Sequence, residues 1–249
     1  MNEILRTSAI RPSPNKYCPG CLHAMATKLA GECLEELGII DRTVVVLSVG
    51  CSTMGMNIWN LDMISAAHGR APAVATGLKR TQPGTFVFTY QGDGDLASIG
   101  LAEIICAANR GERISVIFAN NSTYGMTGGQ LAPTTLTGQK STTTPFGRNP
   151  ETDGYPVDMC ALLNTLKAPS YIARCALNTP ANVRKAKICI KKAFQNQLDG
   201  KPFSFVELLT NCVTNWHMSP VDSLRFISEQ TSKTFPLGVF RDADKEGEQ

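Results

Sequence analysis

Two neighbouring stretches decide the fold: Tyr90-Gln91-Gly92-Asp93-Gly94-Asp95, and Asn120-Asn121-Ser122-Thr123-Tyr124-Gly125-Met126-Thr127-Gly128-Gly129-Gln130. Residues 85–90 (TFVFTY) are short, β-branched and aromatic, which predicts a buried strand. Residues 97–110 carry Ile99, Ile104, Ile105 and Ala108 at helical spacing and read as a crossover helix. Residues 114–119 (ISVIFA) read as the next strand. The unit is then βαβ with parallel strands, and its ligand side is the carboxyl end of those strands. Asp93 and Asn121 lie 28 positions apart in sequence, yet this topology brings them together. Two oxygen-bearing side chains at neighbouring strand ends can share a hard cation such as Mg²⁺, which keeps room for phosphate oxygens. The glycines let backbone N–H groups approach those phosphates. On the residues alone, two ordinary turns with Asp93 and Asn121 as turn formers remain an alternative.

Working outward, the flanking segments repeat the α/β pattern. Residues 22–37 predict a helix stopped by Gly38. Residues 43–49 (TVVVLSV) predict a strand ending at Gly50-Cys51-Ser52, and 54–62 look irregular. His68-Gly69-Arg70-Ala71-Pro72 opens a small-residue helix over 73–80. Residues 131–157 form a long Thr-, Pro- and Gly-rich loop, a length that is usually functional; a solvated surface loop is the plainer reading. A short helix (157–166), a strand (170–176), a helix capped by Thr179 and Pro180 (180–198), a strand (203–209) and a last helix (219–234) follow. Arg184, Lys185, Lys187, Lys191 and Lys192 read as a solvated helix face, with docking of a partner protein as the alternative. Residues 1–16 are expected to be an extended arm and 241–249 a loose charged tail. There is no internal repeat and no domain boundary, so a single domain over 1–249 is expected.

The chain has 249 residues, 43% hydrophobic and 18% charged, enough for one large α/β domain. A net charge of +3 gives no argument for nucleic acid. No apolar run is long enough to span a membrane, and residues 1–13 lack a signal-peptide core, so the expected location is the cytoplasm. Nine cysteines in such a setting should be free thiols. Cys33, Cys106, Cys160, Cys175 and Cys189 sit among apolar neighbours and read as small buried hydrophobes.

Cys18, Cys21, Cys51 and Cys212 sit instead in loop contexts. Cys18-x-x-Cys21 suits a metal, an iron–sulfur cluster or a redox dithiol. Cys51 and Cys212 each follow a strand, on the side where Asp93 lies. Zinc more often draws on two close Cys pairs, which fits one pair plus two singletons less well.

Gly-Asp-Gly followed 28 residues on by Asn-Asn resembles the thiamine-diphosphate enzyme motif. Cys18-Pro-Gly-Cys21-x-His23, Gly50-Cys51-Ser52, His68-Gly69-Arg70 and the two opening stretches together resemble the β subunit of a 2-oxoacid:ferredoxin oxidoreductase, from about residue 17 to 240. Leu22 departs from the pattern, where the family often has a second glycine. The resemblance implies a doubly wound, mostly parallel sheet of the thiamine-diphosphate-binding type. It implies a [4Fe–4S] cluster on Cys18, Cys21, Cys51 and Cys212, and Mg²⁺ on the side chains of Asp93 and Asn121 and the Thr123 carbonyl. Thiamine diphosphate would be held by Val49, Gly50, Cys51, Ser52, His68, Gly69, Arg70, Gly92, Gly94, Asp95, Gly125 and Met126, with His23 nearby. His23 and His68 could equally be core histidines, and Arg70 a surface charge. Trp216 and His217 read as packing or interface.

The implied reaction is oxidative decarboxylation of a 2-oxoacid, of 2-oxoglutarate or 2-oxoisovalerate type, to an acyl-CoA and CO₂, with coenzyme A as co-substrate and ferredoxin as electron acceptor. The carboxylate that activates the cofactor's pyrimidine has no counterpart among these residues; Glu103 and Glu112 give no reason for that role. The resemblance places it on a partner α subunit, in some assemblies joined by a γ subunit. Competing readings are a non-redox thiamine-diphosphate decarboxylase or synthase, a non-catalytic iron–sulfur electron-transfer subunit, and a zinc-stabilised binding module.

Overall fold

The structure, a computed structural model, describes residues 7–246. Seven strands form one sheet: β1 (Thr43–Leu47), β2 (Asp62–Ser65), β3 (Phe86–Gly92), β4 (Ser115–Asn120), β5 (Tyr171–Ala176), β6 (Ser204–Leu209) and β7 (Gly238–Asp242). Their order is β2-β1-β3-β4-β6-β5-β7, and all pairings are parallel except that of β7 with β5. β4, β5 and β6 are buried along their whole length, as parallel strands covered on both faces must be.

The period-2 alternation of each strand divides the core in two. On one face α1 (His23–Glu36) and α6 (Pro180–Leu198) cover Val45, Phe88, Tyr90, Ile117 and Val206. On the other, α2 (Ala71–Thr81), α3 (Leu101–Asn109) and α5 (Met159–Asn164) cover Val46, Val87, Val116, Phe118 and Phe205, while the short α4 (Pro150–Asp153) lies in the 131–157 loop. The sheet is therefore doubly wound, as expected. Thr179 caps α6, accepting from the Asn182 N–H at 3.2 Å. The last helical region starts as α7 (Pro220–Phe226), capped by Ser219.

Several sequence expectations change. The crossover helix does not run unbroken over 97–110. Residues 94–99 form a wide helical turn, and α3 starts only after Gly100. The turn carrying Gly69 packs directly on this break: a Cβ on Gly69 would lie 2.6 Å from the Gly100 nitrogen. Ile99 is consequently 42% exposed and takes no part in the core. Cys106 is exposed rather than buried, and Cys189 is half-buried. Residues 51–57 are helical, reaching into the segment 54–62 expected to be irregular, and the edge strand β2 starts at that segment's last residue, Asp62.

The arm and tail are also more ordered than expected; residues 1–6 and 247–249 lie outside the described residues. Thr7 Oγ1 donates to the Gly31 carbonyl at 3.2 Å, and Ala9 is fully buried. Arg241 and Asp242 belong to β7. The Arg241 guanidinium donates to the carbonyls of Asn164 (2.8 Å), Pro169 (3.3 Å) and Leu166, fixing β7 to the turn after α5.

The 131–157 loop is organised around a cation. Arg148, 5% exposed, donates to the carbonyls of Pro133 (2.8 Å), Thr135 (2.7 Å), Gly154 (2.7 Å) and Tyr155 (2.8 Å). The lysine face of α6 is tied to its surroundings: Lys187 reaches Glu32 (2.7 Å) and Glu36 (2.8 Å), Lys191 reaches Glu36 (2.8 Å), and Lys192 pairs with Asp244.

Arg241→Ala leaves three carbonyls without their charged donor. It is expected to lower unfolding free energy by roughly 1–3 kcal/mol, read as a shift in urea midpoint with unchanged slope. An unaltered midpoint would show that β7 is not held this way.

Candidate functional site

The carboxyl ends of β1, β3, β4 and β6 meet at one rim. Asp93 follows β3 and is 2% exposed. Its Oδ1 accepts from the Gly94 N–H at 2.8 Å; its Oδ2 accepts from the Thr123 N–H at 3.1 Å and the Thr134 hydroxyl at 2.8 Å. Asn121, just past β4, also accepts from the Thr123 N–H, at 3.3 Å. One backbone donor is thus shared between the two groups predicted to grip a cation. Burial pushes the Asp93 carboxyl up to about 6, against the three donors that favour its charge.

Asp95 sits one turn on and is fully engaged. Its Oδ1 lies 2.6 Å from His68 Nδ1 and accepts from Ser48 Oγ (2.8 Å) and the Gly69 N–H (2.6 Å). Its Oδ2 accepts from Gln91 Nε2 at 2.7 Å. Asp95 therefore locks the 68–69 turn to β3. Arg70 pairs with Glu103, is half-exposed and does not line the cavity at this rim. Ser52 is 1% exposed, and its hydroxyl, with no hydrogen-bond partner, is an orphaned polar atom beside the Gly50–Cys51 turn.

His23 is fully enclosed at the start of α1. Its Nδ1 lies 2.5 Å from the Tyr90 hydroxyl, and Tyr17 stacks on its ring at a 5.0 Å centroid separation. Burial lowers its pKa to about 4, so it is neutral. It is both a satisfied core histidine and part of the cavity wall. That cavity, about 100 Å³, is lined by His23, Cys51, His68, Asp93, Asn121 and Gly125 among others, with Val49 and Met126 as exposed apolar lips. A larger cavity of about 480 Å³ opens at the opposite rim beside Arg42, Lys79 and Arg113. It contains none of the predicted site residues.

The four loop cysteines converge on the first rim. A Cβ on Gly125 would lie 3.3 Å from Cys51 Sγ and 3.6 Å from Cys212 Sγ, so both thiols flank the 124–126 turn. The Cys21 N–H donates to the Cys18 carbonyl at 3.0 Å, closing the turn of the pair. Burial raises the thiol pKa of Cys21 to about 12 and of Cys51 to about 11, and each is raised further by the other thiols of the group. Among the described residues, no three His, Cys, Asp or Glu side chains close on a single ion. A mononuclear site would need thiolates about 2.3 Å from one point. Cys51 Sγ and Cys212 Sγ both lie beside Gly125.

Three residues, two asparagines and a tryptophan, make contacts that escaped the sequence reading. Asn211 accepts from the Leu22 N–H (2.9 Å) and donates to the Gly20 carbonyl (3.1 Å), tying the 18–21 turn to the end of β6. Asn215 donates to the Gly125 carbonyl at 2.8 Å and contacts Cys212 Sγ at 3.2 Å. Trp216, expected to be packing, donates to the Asn121 carbonyl at 3.1 Å. Proximity to Cys212 was the only signal for the first two. For Thr134 it was a place in a long loop.

Residues 48–208 match the family described as thiamine pyrophosphate enzyme, C-terminal TPP binding domain. The 2-oxoglutarate synthase subunit KorB of Archaeoglobus fulgidus is 36% identical over 227 residues, covering 91% of this chain and 79% of that protein. The chain belongs to the thiamine-diphosphate-binding subunits of the 2-oxoacid:ferredoxin oxidoreductase family. Another member, the ketoisovalerate oxidoreductase subunit VorA of Methanothermobacter marburgensis, is 47% identical over 249 residues, all of this chain and 52% of that protein. The chain thus spans about half the length of that relative. In fold, this family member resembles a 2-oxoglutarate:ferredoxin oxidoreductase from Magnetococcus marinus solved with 2-oxoglutarate, coenzyme A and succinyl-CoA, at a TM-score of 0.77 and 23% identity, over 97% of this chain and 86% of that one. No described helix is long and apolar enough to cross a membrane.

A divalent cation at Asp93 must displace a proton whenever the carboxyl is protonated. With the metal-free carboxyl titrating at about 6, cation affinity is expected to be flat above that pH and to fall about tenfold per unit below it. Mn²⁺ titrations from pH 5 to 8 read this; a flat profile across the range would contradict it.

Proposed function

We propose that this chain holds thiamine diphosphate, Mg²⁺ and a [4Fe–4S] cluster, and that its enzyme oxidatively decarboxylates a 2-oxoacid to an acyl-CoA and CO₂, passing electrons to ferredoxin. One observation carries the reading: the Asp93–Asn121 pair and the Cys51–Cys212 thiols flank the same turn, residues 121–125.

The residues fit the groups. Asp93 and Asn121 offer oxygens for a hard cation, with the Thr123 carbonyl beside them. The Gly50–Ser52 turn offers backbone N–H groups and the unpartnered Ser52 hydroxyl to a diphosphate. Cys18, Cys21, Cys51 and Cys212 would become thiolates on taking up a cluster. Bound thiamine diphosphate supplies a carbanion and a store for the electrons left by CO₂, and a cluster accepts them singly. The chain's own work is placement. Asp95 holds His68 and Gly69 against β3, Tyr90 holds the neutral His23 at the cavity wall, and Asn215 fixes the Gly125 turn between the thiols.

The site also points to a partner chain. Its cavity of about 100 Å³ falls well below the roughly 300 Å³ that enclose a cofactor-sized ligand. Its carboxylates, Asp93 and Asp95, are each occupied by hydrogen-bond donors, and Glu103 pairs with Arg70. A second subunit of α type would supply the missing wall and the carboxylate that activates the pyrimidine. The VorA relative's name favours 2-oxoisovalerate as substrate; the KorB relative makes 2-oxoglutarate the second reading.

Anaerobically purified protein, with the subunits that assemble on it, should contain iron and acid-labile sulfide in equal amounts and show broad visible absorbance that bleaches on reduction. Cys212→Ser should lose the absorbance, and Asp93→Ala should lose thiamine diphosphate while keeping it. Zinc in place of iron, or thiamine diphosphate retained by Asp93→Ala, would refute the assignment. A panel of 2-oxoacids assayed with coenzyme A and ferredoxin then identifies the substrate, with 2-oxoisovalerate expected to give the highest kcat/KM.

A further inference from the structure

Asn120, Glu207 and Arg174 form a buried polar chain across three adjacent strands, and none of them touches the cavity. Asn120 ends β4, fully buried. Its Nδ2 donates to Glu207 Oε1 at 2.7 Å, and its Oδ1 accepts from the Ser122 N–H at 3.1 Å. Glu207, 1% exposed in β6, uses its other oxygen to accept from Arg174 Nε at 2.7 Å and from the Cys160 thiol at 3.2 Å. Arg174, in β5 and in register with Glu207, pairs also with Asp158 and donates to the Pro236 carbonyl at 3.2 Å. Its guanidinium lies 5.2 Å from the Phe235 ring centroid and 5.0 Å from that of Phe240.

The end of this chain at Ser122 has a consequence for the turn. Ser122 has φ of 59°, a conformation that residues other than glycine, asparagine and aspartate seldom adopt. It lies between Asn121 and Thr123, whose N–H Asp93 and Asn121 share. Holding the Ser122 N–H therefore sets where the Asn121 oxygen and the Thr123 carbonyl point. A glutamate present only to neutralise the buried Arg174 would need no second bond to Asn120; that bond extends the ion pair to the turn.

We propose that Asn120 and Glu207 are positioning residues for the divalent-cation site, orienting the 121–123 turn from behind through hydrogen bonds that never reach the ion. The inference rests on the cation site proposed above. Groups that orient ligands in this way typically change metal affinity ten- to a hundredfold when removed.

The test is Mn²⁺ binding in place of Mg²⁺, with thiamine diphosphate present, on the full chain with its co-assembled subunits; free Mn²⁺ is counted by electron paramagnetic resonance. Asn120→Ala is expected to weaken Mn²⁺ about ten- to a hundredfold while the visible spectrum of the thiol-held cluster stays unchanged. Glu207→Gln, which keeps an acceptor for Asn120 but loses the charge facing Arg174, is expected to lose less. Arg241→Ala, destabilised at a distance, is the control and should bind Mn²⁺ as the natural chain does. Asn120→Ala binding as tightly as the natural chain, or losing no more than a control of equal melting temperature, would overturn the inference. Should Asn120→Ala fail to fold, Glu207→Gln with undiminished affinity would overturn it. A natural chain that binds no Mn²⁺ would sink the cation site itself, and this inference with it.

Discussion

A single backbone N–H, that of Thr123, is where the structure's demands meet. Asp93 and Asn121 follow different strands, and both accept from it. For that to happen β3 and β4 must be parallel neighbours in one register, and their ends must turn toward each other. The carboxylate of Asp93 is buried at a cost, and the donors of Gly94, Thr123 and Thr134 offset that cost only in part, as its raised pKa shows. A buried anion held ready in this way has an obvious use for a cation.

The same rim gathers the thiols. Cys51 follows β1, Cys212 follows β6, and the Cys18–Cys21 turn is brought in by Asn211 at the end of β6. Gly125 lies between Cys51 and Cys212, close to both sulfurs. Residues 121–125 therefore link the two halves of the site: one end contacts Asp93 and the other the thiols. This closeness is what an enzyme needs if electrons released at an organic cofactor are to leave through a cluster.

Much of this was legible in the sequence because its signals are local. Unbroken β-branched and aromatic runs such as 114–119 reveal central parallel strands, and the spacing of Asp93 and Asn121 follows from one βαβ unit. The edge strands β2 and β7 were not legible: they are short, half-exposed and polar, so they carry no apolar run to read. The break at Gly100 was hidden because its cause, the Gly69 turn, comes from thirty-one residues earlier. Buried arginines are the other blind spot. Nothing in the sequence marks Arg148 and Arg174 as buried, and only tertiary structure shows one satisfied by carbonyls and the other by Glu207 and Asp158.

The proposed cation and cluster would share one rim of the sheet. With Mn²⁺ replacing Mg²⁺ and the cluster reduced, the electron spin of each should perturb the other. The reduced-cluster signal is expected to broaden and relax faster with Mn²⁺ bound than with Mg²⁺, and Asp93→Ala to abolish the difference. A cluster signal indifferent to Mn²⁺ bound at Asp93 would contradict this arrangement.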